Sequence, residues 1–332
     1  MFSGGGTRCA YQLAFCQYLF KNKKFNEKYN IDRLYGTSFG ALVSFFICCD
    51  RYDLLNNFFL TLNEKGLKKW FDLWGYEDYI IKIPILGKII GVIINFIWLI
   101  KGIKNKGLYD PNLGSSFLQQ VNINYKLKNK LIKYYCCVYN ITRGKSMYIN
   151  GTHPLIKDYI IASSSLWIVF PPKVIPQYKF ECDCNEFCNC FIDKKENPNN
   201  LCNCKNILHR QNEFLDGGVF DPIPFHFDED YDGNYLVLTT KNIQDTINQK
   251  NPFNYSGNHL FDYLDNIICL LIDRNQYYKF KYDHKEWKDS KRVKIINYAP
   301  INNDPTLMDK DTIKKYMEDG KYLFKNFVDD IE

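Results

Sequence analysis

The pentapeptide Gly36-Thr37-Ser38-Phe39-Gly40 stands between a short apolar stretch, Ile31 to Tyr35, and an unbroken apolar run, Phe39 to Cys49. The first reads as a strand and the second as a buried helix, so the serine falls on the sharp turn that joins them. On such a turn Gly36 and Gly40 keep side chains out of a close approach. The helix that starts at Phe39 points its unsatisfied N–H groups at the same spot, where negative charge would be held.

The remaining pattern extends this unit. Residues 8–22 read as a helix, with Tyr11, Phe15, Tyr18 and Leu19 at helical spacing. Leu131 to Ile141, Ser146 to Ile149, Glu213 to Leu215, Tyr235 to Thr240 and Val293 to Tyr298 read as strands. Helices are expected over His153 to Ser164, Leu260 to Phe280 and Asp311 to Val328. Strands alternating with helices predict an α/β fold with a mainly parallel sheet. At 46% hydrophobic and 17% aromatic, the 332 residues suffice for one sizeable core.

Two further segments carry chemistry. Ser3-Gly4-Gly5-Gly6-Thr7-Arg8 is a glycine-rich loop, whose backbone N–H groups form a nest for an oxyanion. Leu215-Asp216-Gly217-Gly218 places a carboxylate on a tight turn. Serine is a poor nucleophile without an adjacent base, and Asp216 can supply one. Singly, each motif is an ordinary turn. Together, in this order and with these flanks, they are the parts of a hydrolase that cuts esters through an acyl-enzyme.

With these residues the chain resembles the patatin-like phospholipase family. The glycine loop with Arg8 resembles the family's oxyanion loop, and Tyr35 to Leu42 its nucleophile block. Ile161-Ala162-Ser163-Ser164-Ser165 with Phe170-Pro171-Pro172 is similar to its third block. Leu215 to Val219 with Pro222-Ile223-Pro224 is similar to its aspartate block, and Thr312 to Lys321 to its closing helix. The resemblance implies a single domain over 1–332, with three α/β/α layers and a Ser–Asp dyad in place of a triad. In that reading Ser38 is the nucleophile and Asp216 the base. Gly4, Gly5 and Gly6 form the oxyanion hole, Arg8 supports that loop, and no cofactor is needed for catalysis. The implied substrate is a membrane phospholipid or a neutral lipid. The family has a full apolar strand before its glycine loop, where this chain has Met1 and Phe2. Cys9 stands where the family often has glycine. None of the five histidines (153, 209, 226, 259 and 284) sits in a recognisable catalytic context. An inactive membrane scaffold and a metal-stabilised interaction module are the competing readings.

The net charge of +6 permits an anionic partner, but lysine outnumbers arginine 36 to 7, which reads as compositional bias. No Arg/Lys stripe is interleaved with aromatics, so nucleic acid is not an expected partner. The N-terminus has no basic stretch leading into an apolar segment, so no signal peptide is expected. Thirteen cysteines then suggest a reducing, intracellular setting, cytoplasmic and at membranes.

Two insertions interrupt the plan. Residues 79–107 carry the apolar core Ile89 to Ile100 and lysines 82, 88, 101, 104 and 106, without Asp or Glu. This run of twelve residues, almost wholly apolar, is short of the ~20 needed to span a bilayer. The segment reads either as a buried core element or as an interfacial one, with Phe96 and Trp98 in the headgroup region. Residues 181–213 hold Cys182, Cys184, Cys188, Cys190, Cys202 and Cys204. Thiolates at this density suit a structural zinc. Thiols in a loop and disulfides are the alternatives, because the repeated unit is Cys-x-Cys.

Overall fold

The computed structural model describes residues 1–61, 118–119, 121, 123, 126–127, 130–166, 171–176, 211–224, 233–240, 292–298 and 310–329. The chain opens with an extended Met1–Ser3, the glycine loop and a 3₁₀ turn at Gly6–Cys9, then α1 (Ala10–Lys21) and α2 (Lys23–Lys28). Next come β1 (Arg33–Thr37), α3 (Phe39–Cys48) and α4 (Tyr52–Thr61). A short antiparallel pair, β2 (Lys126–Leu127) and β3 (Lys130–Leu131), precedes β4 (Lys133–Asn140) and β5 (Lys145–Asn150). Then follow α5 (Ile156–Ser163), β6 (Lys173–Pro176), β7 (Gln211–Asp216), β8 (Tyr235–Thr239), β9 (Val293–Asn297) and α6 (Lys310–Asp329).

The sheet is mixed, which corrects the mainly parallel sheet read from the sequence. β1 pairs β4 in parallel and β8 pairs β9 in parallel, whereas β5 and β7 pair β4, and β6 pairs β7, antiparallel. For β5 the reason is local. Only the turn Ile141–Gly144 separates β4 from β5, and so short a link permits only a hairpin. Gly144 takes φ +63° there, and the Asn140 side chain accepts the Arg143 N–H at 3.0 Å.

Met1–Ser3 fills the space between β1 and β8. Phe2 bridges Gly36 on one side and Leu238 on the other, both in parallel sense. Its N–H donates to the Tyr35 carbonyl at 2.8 Å, and the Ser3 N–H donates to that of Leu238 at 3.0 Å. This short stretch lies directly ahead of the glycine loop.

α3 is apolar on every side and buried from Gly40 to Cys48, so it is a core helix rather than a surface one. α6 is amphipathic. Ile313, Tyr316, Gly320, Phe324 and Phe327 recur at helical spacing, and all are buried. Phe324 meets Phe15 and Tyr18 of α1, with ring centroids 5.9 Å apart in each case. These rings pack α6 against α1. The six cysteines among the described residues are buried and unbridged. Burial pushes the thiols of Cys16 and Cys136 up to about 12, so neither is a thiolate at neutral pH.

The expected helix over 260–280, the insertion at 79–107 and the six cysteines proposed for zinc lie outside the described residues. Among the described residues no helix is long and apolar enough to cross a membrane, and no three His, Cys, Asp or Glu side chains gather as a metal site.

Candidate active site

Sheet register brings Ser38 and Asp216 together. One edge of β4 is shared by two strands. β1 covers Lys133 to Cys137, with Thr37 opposite Cys137, and β7 takes over at Val138, which faces Asp216. β5 spans Tyr135 to Asn140 and therefore lies on the opposite edge. The C-terminal ends of β1 and β7 thus meet head to head on β4. One step beyond Thr37 is level with Val138, the partner of Asp216.

At that junction the backbone turns hard. Ser38 has φ 54° and ψ −138°, a conformation that non-glycine residues adopt rarely. The elbow glycines are where close packing demands them. A Cβ on Gly40 would stand 2.5 Å from the Ser3 carbonyl oxygen, and one on Gly36 would stand 2.5 Å from Ala41 Cα. The turn leaves Ser38 partly exposed at the N-terminus of α3. Its Oγ donates to Asp216 Oδ2 at 2.7 Å.

Asp216 is buried, and its other oxygen, Oδ1, accepts the Gly218 N–H at 2.7 Å. Loss of hydration on burial pushes the carboxyl up to about 7, against the opposing pull of the hydrogen bonds from Ser38 and Gly218. Its pKa in the unfolded chain is 3.8, so the folded state holds this proton the more tightly. The resulting stabilisation is fully present below about pH 4 and is lost as pH rises through about 7, amounting to ~4 kcal/mol. Asp216→Asn removes a titrating group that disfavours folding at alkaline pH. The variant should therefore gain in melting temperature over the wild type as pH goes from 5 to 8.5; a constant difference would contradict the buried carboxylate.

The glycine loop lies beside the serine. A Cβ on Gly4 would stand 2.8 Å from Ser38 Cβ. The Gly4 N–H donates to the Pro222 carbonyl at 3.1 Å, which removes it from the donors available to an oxyanion. The N–H groups of Gly5, Gly6, Phe39 and Gly40 enter no hydrogen bond among the described residues. Gly6 has φ +57°. Arg8 is buried, and its Nε donates to the Gly5 carbonyl at 3.2 Å. Its Nη1 has no hydrogen-bond partner among the described residues.

Several supports gave no signal in the sequence. Gln12 Nε2 donates to the Ser3 and Leu238 carbonyls at 3.1 and 3.0 Å. The Thr240 N–H donates to Ser3 Oγ at 2.9 Å, and its hydroxyl donates to the Gly4 carbonyl. The end of β8 thereby ties down the loop from about 235 residues away. Below the aspartate turn, the buried Asp221 accepts from Tyr148 Oη, and its N–H donates to the Gly217 carbonyl at 2.6 Å. Of the histidines only His153 lies among the described residues. Its Nδ1 accepts the Leu155 N–H at 3.0 Å and its ring meets Tyr159 edge to face, so these contacts are structural.

The arrangement can do acyl chemistry: an accessible hydroxyl on a buried carboxylate, beside uncommitted backbone donors at a helix N-terminus. No match is found among curated proteins. The family model described as patatin-like phospholipase matches residues 1–227, which include the glycine loop, the elbow and the aspartate turn. That family is one of lipid acyl hydrolases, acting on lipid substrates. The chain belongs to the patatin-like phospholipase family.

Proposed function

We propose that this protein is a phospholipase A-type enzyme that cleaves fatty-acyl esters through a Ser–Asp dyad. The observation that carries the reading is the 2.7 Å hydrogen bond from Ser38 Oγ to the buried Asp216 carboxylate. Ser38 Oγ attacks the ester carbonyl and its proton passes to Asp216. The N–H groups of Gly5, Gly6 and Phe39 face the developing oxyanion. Asp216 returns the proton to the leaving alcohol. In the second half, water loses a proton to Asp216 and attacks the acyl-enzyme, the bond from the acyl carbon to Ser38 Oγ breaks, Asp216 returns the proton to Ser38, and the fatty acid leaves. A carboxylate of ordinary pKa would be a weak base for this work. One held near 7 is better matched to a neutral reaction and is still half ionised there.

Because only the ionised form is the base, kcat/KM on an uncharged soluble ester should rise through an apparent pKa near 7 and level off above it. A flat profile from pH 5.5 to 8.5 would count against Asp216 as the base.

The lipid surface is the second part of the reading. It rests on the sequence between residues 80 and 104, where an acid-free apolar run is flanked by lysines. Each lysine near an anionic surface contributes about 1 kcal/mol, screened by salt. Inserting Phe96, Trp98 and Leu99 adds roughly 1.5–3 kcal/mol for each large side chain. On anionic phospholipid vesicles the protein should release free fatty acid, and Ser38→Ala should not. Vesicle binding should weaken but persist as salt rises. Phe96→Ser with Trp98→Ser should abolish it while sparing hydrolysis of a soluble short-chain ester. If that double variant unfolds instead, the segment is core, and the docking assignment falls.

A further inference from the structure

We infer that Ser163 is a positioning residue, whose hydroxyl sets the backbone of the nucleophile and through it the Ser38–Asp216 distance. The inference rests on the dyad reading of the site. Ser163 is the last residue of α5 and is fully buried. Its Oγ accepts the N–H of Ser38 at 2.9 Å and donates to the Cys137 carbonyl at 2.6 Å. The direction of both bonds is fixed. A backbone N–H can only donate and a carbonyl can only accept, so the hydroxyl proton faces Cys137 and a lone pair faces Ser38. A hydroxyl meets both demands with one atom.

Three serines follow one another here, and the other two behave differently. Ser164 Oγ donates to the Ile160 carbonyl at 3.1 Å and Ser165 Oγ to the Ile161 carbonyl at 2.8 Å, both four residues back in α5. Ser163 alone of the three turns its hydroxyl out to the elbow. The place it reaches matters. Ser38 holds a positive φ, a conformation that persists only where its surroundings over-determine it. The carbonyl of Cys137 is also the atom against which the aspartate turn closes, because a Cβ on Gly217 would stand 2.5 Å from it. Ser163 and the Cys137 carbonyl are therefore one node that touches both halves of the dyad. Without the hydroxyl, the Ser38 N–H and this carbonyl lose their shared partner in a buried place. The elbow then relaxes, and the serine leaves its line to the carboxylate.

The test compares wild type, Ser38→Ala, Ser163→Ala and Ser163→Cys. Cysteine nearly preserves the volume but is a poor donor and acceptor, so it decides the matter if the alanine variant fails to fold. Rates on a soluble ester and covalent labelling by a fluorophosphonate are read well below each melting temperature. The expected result is a fall of about 10²-fold in kcat with KM unchanged, as for a displaced reacting group. Labelling should slow by a similar factor. A folded Ser163 variant with wild-type kcat and labelling, or with a changed KM only, would overturn the inference and leave the dyad standing. If wild type is no faster than Ser38→Ala, the dyad reading itself has failed.

Discussion

Ser38→Ala and Asp216→Asn should each lower kcat on a soluble ester by about 10⁴-fold or more, with the fold intact. Ser38 Oγ is the one atom of the protein that bonds to the substrate carbon in the proposed cycle, and Asp216 is the one carboxylate on its hydroxyl among the described residues. An asparagine cannot take up the proton, so the serine would attack as a neutral alcohol. The double variant should be little worse than either single one, because the pair acts as a unit and removing half removes the function. Circular dichroism and melting temperature check that the variants are folded. Either single variant keeping a tenth of the wild-type rate would exclude the dyad.

Gly217→Ala should also be damaging, though it removes no functional group. Its added methyl would stand 2.5 Å from the Cys137 carbonyl oxygen, 2.8 Å from the carbon behind it and 2.9 Å from Thr37 Oγ1. Two of these atoms belong to the backbone of β4, which is paired on both edges, so they have little freedom to retreat. The turn after Asp216 must lift instead. Overpacking of this kind costs roughly 1–3 kcal/mol of stability. A shift near 1 Å in the carboxylate costs about 10²-fold in rate. Chemical denaturation and initial rates measure the two losses. Unchanged activity in Gly217→Ala would mean that the turn has room the structure does not show.

The elbow was legible because its information is local: an apolar strand, a glycine-bracketed serine and an apolar helix lie within about twenty residues. Even so, β1 runs two residues further than the apolar pattern, through Gly36 and Thr37. Those residues stay paired to Cys136 and Cys137 although neither is apolar. The mixed character of the sheet was not legible, because strand direction leaves no mark on the alternation of side chains. Only the short Ile141–Gly144 link carried it. Two helices, α2 and α4, lie outside the sequence expectations. α2 is a polar six-residue piece, identifiable only by Asn22, whose side chain accepts the Phe25 N–H at 2.8 Å. α4 carries Leu54, Leu55, Phe58 and Phe59 at helical spacing, a signal that was there to be used. Ser163, Gln12 and Thr240 were hidden for a different reason. A buried side-chain polar group matters through a backbone partner far along the chain, and sequence spacing says nothing about such partners. The loss of Gly4 as an oxyanion donor belongs to the same class, since Pro222 takes its N–H.

The central claim is that Ser38 is an activated nucleophile. The most direct measurement is peptide mapping by mass spectrometry after treatment with a fluorophosphonate. The expected result is one adduct per chain on Ser38, formed faster as pH rises through about 7 and absent from Asp216→Asn. An adduct on another residue, or none in a protein that still hydrolyses esters, would contradict the account.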